Sequence, residues 1–397
     1  MAIDEYDTAS EAHALVSQVR FHRATMADVG LRADRDNADP SDNFKLLADL
    51  GVSRLLVPAE YGGLWDGEMV AGWGALTRCV TEISAGDGPT AQNWSSTAMV
   101  AREVLAKDSG LPEEARTEVA RRVLNEGLRL VASNAETGVS GRVVARPAEG
   151  GVILSGTKSF NTNSGGLGIA NVGCLLEGTD DRHHVLVELT DPNVELHDDW
   201  DNMGQRGTRS QTVTYHDVFV PDGWHYPVHK TSQPTFLGAV MLLHAALMQG
   251  IGEGALEAAV QYARTLTRGI LPQFTSAAED PLILRRIGEA SSRLAASRAL
   301  LFAAADDIET VAGEALAAAT VQCFRSKVAS VEASLEVTSS VHEISGARST
   351  SNKYRLDRFW RNARTLALHD PTDAKNIYIG MYEMSGELPA LASVVRF

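Results

Sequence analysis

His369 and Asp370 stand side by side near the end of the chain, and of the side chains present these two are the best suited to moving a proton. Pro371 follows at once. Asp before Pro is a helix-start pattern, with the aspartate as N-cap and the proline at the first helical position. A carboxylate that accepts backbone N–H bonds has a lowered pKa and is aimed away from substrate. The sequence therefore makes Asp370 a cap and a poor general base. His369, taken alone, reads as a surface or capping histidine. Ser133, Asn134, Thr162 and Ser164 carry hydroxyl and amide groups, and by themselves they are ordinary turn and strand-end residues. Asn93, in Gln92-Asn93-Trp94-Ser95, is a further amide. Trp94 and Trp360 read as core, and His183-His184, beside a turn, as solvated.

Several chemistries are excluded. Cys79, Cys174 and Cys323 lie far apart, no pair has metal-ligand spacing, and the odd count argues against a disulfide framework. No His/Glu/Cys cluster has metal spacing, so no metal is expected. A reduced cytoplasm is the simplest compartment. With 36 basic and 51 acidic residues the formal net charge is -15, which offers no basic face to nucleic acid and reads as solubility. No glycine-rich dinucleotide fingerprint follows a strand. Met1 to Ser10 is polar and acidic, unlike a signal peptide. The longest apolar stretch, Phe236 to Ile251, is interrupted by His244 and Gln249; it is too short and polar to span a bilayer and reads as a buried helix.

The elements that must position these residues change period twice along the 397 residues, 44% of them hydrophobic. Residues 1–127 read as helical: Phe44, Leu47 and Leu50 to Val52 precede a loop at Pro58 to Gly63, and helical patterns resume at Ala98 to Leu105 and Ala115 to Leu124. Residues 128–234 read as strands. Val152-Ile153-Leu154 is a short apolar run, Val172 to Leu176 and His184 to Leu189 flank a turn at Gly178 to Asp181, and Val213, Tyr215 and Phe219 alternate with polar neighbours. Residues 235–397 return to the helical period. Ile287, Leu294, Leu301 and Ile308 repeat every seven residues, with Ala290, Ala304 and Val311 between them, which is a bundle seam.

Five segments, in order, resemble the acyl-CoA dehydrogenase superfamily: Leu50-Gly51 through Pro58 to Gly63; Ala135-Glu136-Thr137-Gly138; Gly156 to Asn163; Met203 to Ser210 with Val218 to Pro221; and Gly346 through Tyr354 to Arg361-Asn362-Ala363-Arg364. The resemblance implies an α+β fold with an N-terminal helical domain, a middle β-barrel-like domain and a C-terminal four-helix bundle, assembled as a homotetramer.

Departures from the family narrow the chemistry. Where its dehydrogenases carry a catalytic glutamate in Tyr-Glu-Gly-Thr, this chain has His369-Asp370-Pro371-Thr372. Where they grip the adenosine half of FAD with Arg-x-x-Phe after Tyr-Ala, this chain has Leu266 and Gly269 after Tyr262-Ala263, and the nearest cation is Arg268. Such a site suits FMN, whose phosphate needs only one or two cations or hydroxyls. Together with Trp360 to Arg364, the His369 segment resembles the two-component flavin-dependent monooxygenases, the branch of dibenzothiophene monooxygenase and the amine N-hydroxylases.

That branch implies that His369 faces flavin and substrate, that Ser133 and Asn134 contact the flavin ring, and that Thr162 and Ser164 lie near its reactive edge. It often has a second histidine on the N-terminal domain, for which Asn93 is the candidate substitute here. Arg268 is expected to reach the phosphate across subunits. The implied reaction uses reduced FMN, delivered by a separate NAD(P)H-dependent reductase, and O2, through a C4a-hydroperoxyflavin, to oxygenate a small molecule at sulfur, nitrogen or aromatic carbon. Two alternatives stand beside it: an FAD-dependent acyl-CoA dehydrogenase or oxidase with Asp370 as a displaced base, and a flavin-free binding relative.

Overall fold

A computed structural model describes residues 5–69, 71–135, 142–166, 168–179, 181–228 and 234–388. Glu136-Thr137-Gly138 of the quoted family segments, and Asp180 of the hairpin turn, lie outside the described residues. Six helices come first: α1 (Glu5–Phe21), α2 (Arg23–Asp36), α3 (Ser41–Asp49), α4 (Trp73–Gly86), α5 (Gly88–Val104) and α6 (Glu113–Asn125). The start of α5 is fixed by Asp87, whose carboxylate accepts Thr90 N–H, followed by Pro89 in the first turn.

Strands β1 (Arg129–Ser133), β2 (Val144–Ala148), β3 (Gly151–Asn161), β4 (Gly168–Leu176), β5 (Arg182–Glu188), β6 (Val194–Leu196), β7 (Gln211–Pro221) and β8 (His225–Pro227) form one mixed sheet in the order β6-β7-β3-β2-β4-β5-β8, with β1 paired to β4. β1 and β2 run parallel to β4, and the other pairs are antiparallel. Alternate residues of these strands, among them Val131, Leu154, Val172, Val185 and Val213, bury into a core separate from the helical one. The β3–β7 ladder slips between Lys158 and Asn161, and the irregularity aims the end of β3 out of the sheet.

Three long helices follow, α7 (Pro234–Ala263), α8 (Pro281–Thr310) and α9 (Ala315–Ser345), and then α10 (Asp357–Leu366) and α11 (Thr372–Ser385) pack on α9. Leu294, Leu301, Ile308, Ala290 and Ala304 are buried along the α8 seam, while Ile287 and Val311 are half-buried. α7 extends well past the apolar stretch seen in the sequence. By length and composition it could cross a membrane; 83% of its apolar window is instead buried among neighbouring helices. α4 packs against α7, so the first helices and the bundle share one core.

Three expectations are corrected. Trp360 is 39% exposed, because α10 turns Phe359 and Ala363 inward and Trp360 lies on its other face. His184 is buried, not solvated: its Nδ1 meets Glu103 and Asn171, and its ring packs on Tyr226. Asp370 is not a cap. α11 starts at Thr372 with Pro371 as N-cap and no side-chain capping bond. The same dipeptide at Asp280-Pro281 does cap α8, with Asp280 accepting Leu282 N–H. The difference is that two lysines claim the Asp370 carboxylate first.

Candidate active site

Met203 to Ser210, the segment before β7, is where separate parts of the chain meet. Arg361 on α10 donates to Met203 O at 2.7 Å, and Asn362 Oδ1 accepts Gln205 N–H at 2.7 Å. A Cβ on Gly204 would run into the Arg361 carbonyl, so only glycine lets α10 come this close. On the other side Asn93 Nδ2, from α5, donates to Gly207 O at 3.2 Å, and Asn163 N–H donates to Thr208 O at 2.9 Å. Thr162 Oγ pairs with Ser210 Oγ at 2.9 Å, and Ser210 pairs with Thr208 at 2.8 Å. One segment thus ties α5, the end of β3 and α10 together.

The backbone there is held in conformations that side chains disfavour. Phe160, Asn163, Gln205 and Arg209 all have positive φ, at 55°, 78°, 53° and 47°. Left-handed geometry costs a non-glycine residue roughly 1 to 2 kcal/mol, and such strain gathers where geometry serves a site. Among the described residues Asn93 Oδ1, Ser95 Oγ, Ser159 Oγ, Asn163 Oδ1 and Gln205 Oε1 are sealed from solvent without a hydrogen-bond partner, although buried polar atoms are normally paired.

The seven expected site residues divide. Ser133 is fully buried, its hydroxyl donating to Asn161 Oδ1 at 2.5 Å and lying 3.1 Å from Tyr215 OH. Ser164 is also fully buried, donating to Arg209 O at 2.9 Å. Thr162 and Asn134 are half-buried; the Asn134 carbonyl accepts Lys158 Nζ at 3.3 Å, and its amide lies over Gly173. Asn93 is fully buried with one amide face committed and the other open. Asn93, Thr162 and Ser164 bond to the 203–210 segment, Ser133 reaches Asn161 beside it, and Asn134 faces Lys158 and Gly173. Arg268 is exposed on the segment after α7 and makes no ion pair among the described residues.

His369 lies in the turn after α10, its N–H bonded to Leu366 O at 3.0 Å. It keeps contact with solvent, and its ring stands edge to face with His244 of α7, centroids 4.7 Å apart and planes at 84°. Protein packing lowers its pKa below the usual histidine value; nearby Asp370 pulls it up and the Lys327 ammonium pushes it down. Asp370 is clasped by Lys327, from α9, and by Lys375 Nζ at 2.7 Å, from α11. Burial raises the carboxyl pKa, but the two ammonium groups overcome it and hold it below the ordinary range. Lys327 in turn is lowered to about 8 by burial, against the pull of Asp370.

Sequence reasoning missed His244, Gln205, Asn362 and Ser210. His244 was visible as a break in an apolar helix, but only the fold shows what it faces. Gln205 and Ser210 lie within a quoted family segment, where their contacts could not be read.

Residues 242–374 match the family of the acyl-CoA dehydrogenase C-terminal domain. The FMN-bound TdsC of Paenibacillus sp. A11-2 superposes with a TM-score of 0.84 at 25% identity, over 95% of this chain and 99% of that one. Fold and match define an enzyme of the acyl-CoA dehydrogenase superfamily. A dibenzothiophene monooxygenase of Rhodococcus qingshengii is 30% identical over 379 residues, 90% of this chain and 89% of that protein. A probable FMNH2-dependent monooxygenase, SfnC, of Pseudomonas putida is 28% identical, with 92% and 93% covered. The chain belongs to the flavin-dependent monooxygenase branch of that superfamily, together with the dibenzothiophene monooxygenases.

Proposed function

We propose that this chain is the oxygenase of a two-component system, taking reduced FMN from a separate NAD(P)H-dependent reductase and using O2 to oxygenate a small organic molecule at sulfur, nitrogen or aromatic carbon. The observation that carries this is the likeness over nearly the whole chain to a dibenzothiophene monooxygenase and to FMN-bound TdsC, joined to a histidine, His369, whose ring makes no hydrogen bond among the described residues. Reduced flavin, when bound, supplies the electrons that activate oxygen. The chain's own groups do the rest. Thr162, backed by Ser210 and Thr208, offers a hydroxyl chain that can hold a distal oxygen. His369, kept neutral at pH 7, gives or takes the proton at that oxygen.

The dehydrogenase alternative needs a free carboxylate base, and Asp370 is locked between two ammonium groups. A flavin-free binding relative would have little use for buried acceptors left without partners. Incubating the chain with chemically reduced FMN, O2 and a panel of sulfides, amines and phenols tests the reading. Oxygen uptake without any oxygenated product from the panel would reject it.

FMN is preferred over FAD in this reading. Position 269 is a glycine whose missing side chain would crowd the Asp280 carboxylate, so the aromatic residue of the adenosine motif has no room there. Anaerobic titration should show reduced FMN binding at least several-fold more tightly than FADH2, and a preference for FADH2 would count against it. Arg268, exposed and without an ion pair among the described residues, would in this reading serve a neighbour's FMN phosphate in a homotetramer. Light scattering should then give four chains per particle, and a flavin-binding monomer would refute this. Three unbonded cysteines suit a cytoplasmic setting.

A further inference from the structure

Within α7, His244 and Gln249 interrupt the apolar run from Phe236 to Ile251. Gln249 is fully accounted for: its Nε2 donates to Glu253 Oε1 and Leu294 O, each at 2.9 Å, and its Oε1 accepts from Ser297 at 2.5 Å. His244 is not. Among the described residues, neither its ring nitrogens nor those of His369 hydrogen-bond to the protein. A histidine inside an apolar helix costs stability unless its polar atoms are used. Here two imidazoles instead share a perpendicular contact and leave four nitrogens open.

We propose that His244 is a positioning residue of this oxygenase, holding the His369 ring in one orientation toward the flavin site. The inference rests on the oxygenase reading above. An edge-to-face contact 4.7 Å between centroids restricts rotation of a ring that otherwise has no hydrogen bond to fix it. The groups facing His244 are His369 and Asp370 after α10, Lys327 on α9 and Lys375 on α11. Burial, helped by His369 and the two lysines against Asp370, drives the His244 pKa far below the usual value. Burial lowers the pKa of His369 as well, so the ring that His244 holds is the neutral form, with a free nitrogen that can accept a proton.

The test compares His244→Phe, which keeps a flat ring, with His244→Leu and His244→Ala, which do not. In the flavin-free protein, carbethoxylation of His369 by diethyl pyrocarbonate is followed by peptide mass spectrometry. Releasing the ring should raise that rate several-fold in the Leu and Ala variants and leave the Phe variant like wild type. With reduced FMN, kcat should fall by about 10- to 100-fold in the Leu and Ala variants, with KM little changed and more hydrogen peroxide per product; Phe should restore most of it. Thermal melting checks that each variant folds, and Leu fills the volume if Ala does not fold. Leu or Ala variants that match wild type in both labelling rate and kcat overturn the proposal. Failure of the wild type to oxygenate any substrate rejects the oxygenase reading instead, and the labelling rates still decide whether His244 holds the ring.

Discussion

Replacing His369 by alanine is expected to abolish most product formation while the protein folds and still binds reduced FMN. Loss of a placed acid–base group typically lowers a rate by about 100- to 10,000-fold. The residue is exposed and makes no side-chain hydrogen bond among the described residues, so its removal opens no network there. Oxygen consumption should continue, with the electrons diverted to hydrogen peroxide. The measurement is product and peroxide per O2 consumed, at several pH values. Wild-type activity should fall as pH drops through a value below 6.5, because the folded-state pKa of His369 is lowered and the neutral ring is the working form. An alanine variant with wild-type product yield would refute the role.

Asp370→Asn has the second large effect, and it falls on stability. Lys327 and Lys375 have side chains 3% and 6% exposed, and both rely on this carboxylate. Removing one partner of a buried ion pair costs about 3 to 5 kcal/mol; the carboxylate itself is 24% exposed, so the lower end applies. The pH dependence follows in sign. The wild-type carboxyl has a lowered pKa, so its contribution is complete above the unfolded value and is lost as pH falls through the folded one. The asparagine variant should lack that acid loss. Lys327, lowered to about 8, releases its proton in the folded state before the unfolded chain does. Stability should therefore rise from about pH 8 upward, more steeply in the variant. Urea unfolding from pH 3 to 10 measures both. A variant as stable as wild type at pH 7 would show that the lysines do not depend on Asp370. Acyl-CoA oxidation lost in this variant would revive the dehydrogenase reading.

The fold was readable because its signals are local. The change from helical period to alternation near residue 128, the β4–β5 hairpin and the heptad seam of α8 each depend on spacing within one element. The site was readable in part. Asn93, Thr162 and Ser164 meet at the 203–210 segment and Ser133 lies beside Asn161, with all three hydroxyls bonded to the protein. What stayed hidden depends on contacts between distant segments. Asp280-Pro281 and Asp370-Pro371 are the same signal, and only the second meets lysines from two other helices. His244 and His369 are 125 positions apart (369 − 244), and no pattern in either helix announces the other.

The packing of α4 on α7 has a further consequence, for how the chain is made. Twelve of the fourteen residues of α4 are buried, and much of what buries them arrives with α7, whose first residue lies 148 positions beyond the last of α4 (234 − 86). While the β strands are being synthesised, Leu76, Val80 and Ile83 have not yet met α7. Pairing across that distance must wait for a long loop to close, and an apolar helix left waiting is prone to associate with others. A fragment ending after Asn125 should therefore be insoluble although it is rich in helix. Slow translation or a holding chaperone should raise the yield of the full chain more than any surface substitution would.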